Sequence, residues 1–151
     1  MQLTRAADYA VRVMIHLAGM PPGAHPSHGE LAEAVECPRQ FLSKVLQRLT
    51  RAGLIVSHRG KSGGFELPGR GRRASMLDVV EAIEGPLSLN LCLDPAQLCG
   101  RQDWCPAHLV WAQGQAALTH VLKSAIIDDL ARQTAVASDA IARLGEVPIW
   151  S

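Results

Sequence analysis

Three of the four cysteines, Cys92, Cys99 and Cys105, fall within fourteen residues, and His108 follows the last at C-x-x-H spacing. Thiolates are soft donors and imidazole suits the same metals, so this set fits a metal or iron–sulfur site. The stretch carries Pro95, Gly100 and Pro106 and shows no strand or helix period, so it reads as a loop running into a helix. Buried thiols, zinc ligation by a Cys3His set and a redox-switch disulfide are the competing uses of these residues. A polar loop of Gly, Pro and Asp is a poor place for core thiols, which favours ligation, with a cluster ahead of zinc. Without its metal such a loop is expected to relax, and metal state can then reach the rest of the chain.

The remaining chain must position that loop and give it something to control. With 151 residues and 48% apolar content, the chain suits one domain of ordinary size or a small domain with an accessory helix. Aromatics make up 4%, so aliphatic and alanine helix packing must dominate. No run of eighteen apolar residues occurs, and the start Met1-Gln-Leu-Thr lacks a basic segment followed by an apolar one. No membrane partner is expected, and the expected location is the cytoplasm, where thiols stay reduced. The net charge of +1 hides an asymmetry: residues 1–73 carry +6 and residues 74–151 carry −5. Nine Lys/Arg stand against the single Glu66 in 39–73, which points the first half toward a polyanion.

In chain order, a first helix is expected over 4–20, capped by Thr4, with Tyr9, Val13, Ile15, Leu17 and Met20 apolar and Asp8 able to pair with Arg12. Pro21-Pro22-Gly23 ends it. Ser27 and Glu30 form a capping box for a second helix. Cys37 follows in a short turn and reads as core. The third helix runs from Pro38, at N1, to about Ala52, with Gly53 at C′. Its apolar face is Phe41, Leu42, Val45, Leu46 and Leu49, and its other face is Arg/Gln/Ser/Lys-rich. Two short helices joined by a tight turn match a helix-turn-helix. Strands over 54–57 and 65–67 flank the turn His58-Arg-Gly-Lys-Ser-Gly-Gly64 and make a wing, with Arg59 and Lys61 at its tip. The Gly-Lys-Ser in that turn is no phosphate loop, because Ile55 stands where the first glycine belongs. Residues 68–73 read as a linker. Ser75 with Asp78 caps a helix that Gly85-Pro86 stops, the cysteine loop spans 87–105, and helices follow from Pro106 and from Asp128 to Leu144, with a break at 123–127 and a tail at 145–151.

The fold class expected is mostly α: a winged helix-turn-helix DNA-binding domain (1–73), then a cluster-binding loop and long dimerisation helices (74–151). Arg39, Gln40, Ser43, Lys44 and Arg48 of the third helix and Arg59 and Lys61 of the wing are the candidate DNA contacts, because Arg and Gln suit base edges and Lys and Ser suit phosphates. The other histidines, His16, His25, His28, His58 and His120, show no partner pattern and read as structural or surface groups.

Four motifs carry a family likeness: Met1-Gln-Leu-Thr…Asp8-Tyr9-Ala-Val-Arg12, Leu49-x-x-Ala52-Gly53-Leu54-Ile55, Arg59-Gly60-Lys61-Ser62-Gly63-Gly64-Phe65, and a cysteine triplet after Gly85-Pro-Leu-Ser-Leu89. Over about residues 1–130 the chain resembles the IscR/NsrR/RirA regulators, and looks most like NsrR. The resemblance implies a homodimer with crossing long helices that binds duplex operator DNA. It implies an iron–sulfur cluster on Cys92, Cys99 and Cys105, with 4Fe–4S favoured over 2Fe–2S. The fourth ligand is implied to be Asp8 of the partner subunit, as in NsrR-like members, or His108, as in IscR-like members.

The function expected is a repressor sensing nitric oxide or redox state. A regulator of iron or cluster sufficiency is the alternative within the class. A cluster carrier or zinc protein without DNA binding is the alternative outside it. No paired catalytic carboxylates, nucleophile–base pair or cofactor motif supports an enzyme.

Overall fold

The computed structural model describes residues 3–94, 96–97 and 99–144; the tail expected over 145–151 lies outside them. Thr4 accepts the Ala7 N–H and opens helix α1, Arg5–Gly19. Its buried face is Ala7, Ala10, Val11, Met14, Leu17 and Ala18, the helical repeat of a core element, with Val13 buried beside it. Tyr9, Ile15 and Met20, expected on the apolar stripe, are only partly buried. Helix α1 sits at the centre: Ala10, Val13 and Met14 are fully buried, four other helices pack against it, and its small alanines let them approach closely.

Helix α2 is His28–Ala34, and both halves of the Ser27/Glu30 capping box are made. The backbone N–H of Ser27 reaches Glu30 Oε2 at 2.7 Å, and this bond first, then the Ser27 side chain, holds the Glu30 carboxyl below its usual range. Cys37 is buried in the turn that follows, and burial pushes its thiol pKa up. Helix α3, Arg39–Arg51, buries Leu42, Val45, Leu46 and Leu49 and ends at Gly53, whose φ of 70° supplies the left-handed step. Pro38 is the N-cap, not N1: its ψ of 131° is still extended.

Strands β1 (Val56–His58) and β2 (Gly64–Glu66) pair antiparallel, with Ser57 opposite Phe65. Both start later or earlier than the sequence suggests. Leu54 and Ile55 are both buried, and the Leu54 N–H bonds back to Leu49 O at 3.0 Å, so these two residues close α3 instead of joining the ladder. The expected linker is a short helix, α4, Gly69–Arg72. Arg72 fixes it by donating to the carbonyls of Ala18 (2.9 Å) and Met20 (3.2 Å) and to Asp128 (3.1 Å).

Helix α5, Met76–Glu84, has the predicted Ser75/Asp78 capping box. A 3-10 turn at Leu91–Leu93 holds Cys92, and Cys105 is the N-cap of α6, Pro106–Ser124. The break before α7, Ile127–Leu144, is at 125–126, where Ala125 O accepts from Met76 and the Ile127 N–H donates to Ala74. Helix α7 lies on α1, and one buried cluster runs from Ala7 to Ala131.

Candidate functional site

Two regions carry the candidate functional side chains: the outer face of α3 with the wing, and the loop ahead of α6. At about 100° per residue, Leu42, Val45, Leu46 and Leu49 define the inward direction of α3. The opposite stripe is Gln40, Lys44, Gln47 and Arg51, all exposed. Arg39 lies to the α2 side, 3.9 Å from Glu33. Ser43 donates its hydroxyl to the Arg39 carbonyl and accepts from His28 Nε2 at 2.9 Å. Arg48 lies to the α5 side, where its Nη1 donates to the Ile83 carbonyl at 2.7 Å.

The structure therefore spreads the five predicted α3 contacts over three directions. Gln47 and Arg51, absent from that set, share the outward stripe; a helical wheel drawn from the buried leucines reveals them. Arg59 and Lys61 are exposed at the wing tip. Between α3 and the wing lies a groove of about 480 Å³ whose lining combines the apolar Leu46 and Phe65 with His28, Ser43, Gln47, Thr50, Arg51 and Ser57. Polar and basic groups lining a concave strip beside a helix are what a phosphate backbone needs.

All four cysteines are free thiols, and Cys92, Cys99 and Cys105 are each half-buried. Their sulfurs do not all lie within 4.8 Å of one another. Ligation of one ion by all three would need sulfurs about 3.8 Å apart, from tetrahedral Zn–S bonds of about 2.3 Å. A cluster distributes its ligands over separate irons, so its sulfurs need not converge on a single point. His108 Nδ1 is buried and has no hydrogen-bond partner among the described residues. An orphaned imidazole nitrogen one turn past Cys105 fits a ligand role. Asp8 pairs with Arg12 at 2.9 Å, and its side chain is 56% exposed. Three free thiols plus a nitrogen without a partner fit an iron–sulfur group chemically.

The loop is joined to α1 and α3 by short links through α5. The Leu87 N–H donates to Glu81 Oε1 and the Leu89 N–H to Gln115 Oε1, so the start of the loop is tied to α5 and α6. Glu84 at the end of α5 accepts the Thr4 hydroxyl. Arg48 then joins α5 to α3 through Ile83.

A third grouping was not foreseen. His25, His58 and Glu66 bring their ligand atoms within 4.8 Å of one another, the one such His/Cys/Asp/Glu group among the described residues. His58 and Glu66 lie eight residues apart on one hairpin, His25 lies 41 residues before Glu66, and no spacing rule links the three; only the hairpin register and the approach of residue 25 to β2 bring them together.

A family model described as Rrf2, Iron-dependent Transcriptional regulator, matches residues 3–133. The chain belongs to the Rrf2 family. A protein of Mycobacterium tuberculosis (strain ATCC 25618 / H37Rv), named among HTH-type transcriptional regulators, is 34% identical over 131 residues, covering 87% of this chain and 81% of the relative. Protein aau3 of Rhizobium meliloti (strain 1021) is 33% identical over 135 residues, 87% of this chain and 86% of its own. Among solved structures, CymR, the global cysteine regulator of B. subtilis, superposes with a TM-score of 0.73 at 26% identity over 88% of this chain and 98% of its own. T. potens IscR shares the fold, with a TM-score of 0.68 at 23% identity over 89% and 88%. The mostly helical winged fold is that of Rrf2 regulators, and this Rrf2 protein is a DNA-binding transcriptional regulator, not an enzyme. No described helix is long and apolar enough to cross a membrane.

Proposed function

We propose that this Rrf2 regulator is a homodimeric, cytoplasmic repressor whose operator affinity follows an iron–sulfur cluster held by Cys92, Cys99 and Cys105. The observation that carries the reading is the orphaned Nδ1 of His108, one turn past Cys105, in a chain whose preceding loop holds three free, half-buried thiols. A bound cluster would supply a centre that nitric oxide or an oxidant can attack. The protein's part is to order residues 87–105, and through Ile83 and Arg48 to bias the setting of α3. Gln40, Lys44, Gln47 and Arg51 face the duplex in this reading, with Arg39 and Ser43 at its margin and Arg59 and Lys61 on the wing.

His108 also favours a second reading, a regulator of iron or cluster sufficiency, because the C-x-x-H histidine is the ligand that resemblance to IscR-like members implies. Asp8 of the partner subunit is the ligand implied by the nitric oxide reading. Anaerobic reconstitution with iron and sulfide, followed by absorbance and iron and sulfide determination, tests the cluster. A colourless, iron-free protein overturns it. His108→Ala is expected to destabilise the cluster while Asp8→Ala leaves it intact; the reverse result assigns the ligand to Asp8. Nitric oxide titration with bound DNA separates the two signals: release supports nitric oxide sensing, and unchanged binding leaves iron or cluster supply as the signal.

A further inference from the structure

We propose that His25, His58 and Glu66 form a second, independent metal site, for a divalent ion of the zinc class, at the base of the wing. His58 lies on β1 and Glu66 on β2, while His25 comes from the segment between α1 and α2. Both imidazoles present Nε2 to one carboxylate oxygen, at 2.7 Å from His58 and 3.2 Å from His25. The two rings stack 4.2 Å apart and 15° from parallel, so their nitrogens project side by side. Tetrahedral zinc with N and O ligands at about 2.0–2.2 Å needs ligand atoms about 3.3–3.5 Å apart. The present N···O separations are within about 1 Å of that requirement.

Three further features support a built site. The third segment is stitched to the hairpin by main chain: Phe65 N–H donates to the Pro26 carbonyl at 3.0 Å, and a Cβ on Gly64 would stand 2.3 Å from His25 O. The ligands thus come on rigid backbone and not on a free loop. Glu66 is the only acidic residue in the basic stretch 39–73, yet its ion-pair partners among the described residues are the two histidines and no Lys or Arg. Finally, the three side chains are about one-third exposed, which leaves a fourth coordination position for water or a phosphate oxygen. Imidazole and carboxylate together select zinc-class ions over calcium and magnesium. Binding requires each ring in its Nδ1–H tautomer, freeing the Nε2 lone pair.

Such an ion clamps residue 25 to both strands and offsets the Glu66 charge where the wing meets DNA. The loop cysteines are competing zinc ligands, so the test uses the full chain with Cys92, Cys99 and Cys105 replaced by Ser. Titration with Zn2+, and with Co2+ read by its visible bands, is expected to give one bound equivalent with no thiolate charge-transfer band. Losing a partner outside the ligand set typically costs 10–100-fold in metal affinity. His25→Ala and His58→Ala each remove a ligand and are expected to cost more than about 100-fold, while His120→Ala, on α6, changes nothing. In the unsubstituted chain, Zn2+ is expected to slow hydrogen exchange of the Phe65 amide, and to lose that effect in His58→Ala. The proposal fails if the thiol-free chain binds no zinc while keeping its far-ultraviolet dichroism. It fails equally if the His25→Ala/His58→Ala double variant binds as well as its parent.

Discussion

Six polar side chains on the solvent side of α3 do not point alike, and their directions separate their roles. Gln40, Lys44, Gln47 and Arg51 are exposed on one stripe, whereas the Arg48 guanidinium is held by the Ile83 carbonyl and Arg39 leans toward Glu33. In the proposed DNA complex, a cation on the outward stripe would meet phosphate and displace a counterion. Each lost phosphate contact changes the salt slope by about 0.9. Arg51→Ala and Lys44→Ala are each expected to flatten the plot of log affinity against log salt by about that amount, equally on any duplex. Gln40→Ala or Gln47→Ala is instead expected to leave the slope alone and relax preference at one base pair, by about 1–3 kcal/mol. Fluorescence anisotropy against a salt series and a panel of single-base variants checks both; an unchanged slope in Arg51→Ala returns that residue to a solvating role.

At the scale of elements, α6 is the anomaly. Leu122 is its one buried residue among those described, and Val110, Gly114, Ala117 and Val121 expose an apolar, partly small-residue stripe at helical spacing. Val110 and Val121 are 67% and 63% exposed, too much apolar surface on one face for a helix that works alone. In the proposed homodimer a second copy laid along this stripe would cover it, and the small residues would let the backbones approach. Val110→Glu combined with Val121→Glu is expected to convert a dimer to a monomer in sedimentation, with unchanged helical dichroism because neither side chain supports the monomer core. A dimer that persists in that variant places the interface elsewhere. The same scale shows what the sequence could disclose. Helices announced themselves by local signals: Ser27–Glu30, Ser75–Asp78 and Gly53 act within a turn of their own residues. Helix α4 did not, because its reason lies in Arg72 reaching Ala18 and Asp128, more than fifty residues away on either side. The cysteine loop is proposed as a donor set on residue type and spacing, which are local to one stretch of sequence. The His25–His58–Glu66 group was not, since it depends on strand register and a backbone crossing that neither segment encodes by itself.

For the whole molecule, the basic first half and the acidic second half share one hydrophobic cluster, and the cysteine loop adjoins it through α5, whose Val79, Val80 and Ile83 belong to that cluster. A hydrogen-bonded route from the loop to the proposed DNA face runs through α5. Its Glu81 receives the loop backbone at Leu87, its buried Ile83 offers a carbonyl, and Arg48 of α3 donates to it at 2.7 Å. Contiguity alone does not establish coupling; a variant that breaks the route without touching either end does. Arg48→Ala is such a variant, since it removes no thiol, no outward α3 side chain and no part of the α6 stripe. Loss of a hydrogen bond from a charged donor is expected to lower stability by about 1.5–3 kcal/mol, a shift visible in thermal unfolding. Reconstituted Arg48→Ala is expected to keep its cluster absorbance and its dimer. The ratio of DNA affinities between cluster-bearing and cluster-free protein, on duplexes selected from a random pool, is expected to fall from the 5–150-fold typical of such coupling toward unity. If Arg48→Ala keeps the full ratio, the signal bypasses Ile83, and the crossing of α6 helices between subunits becomes the route to test.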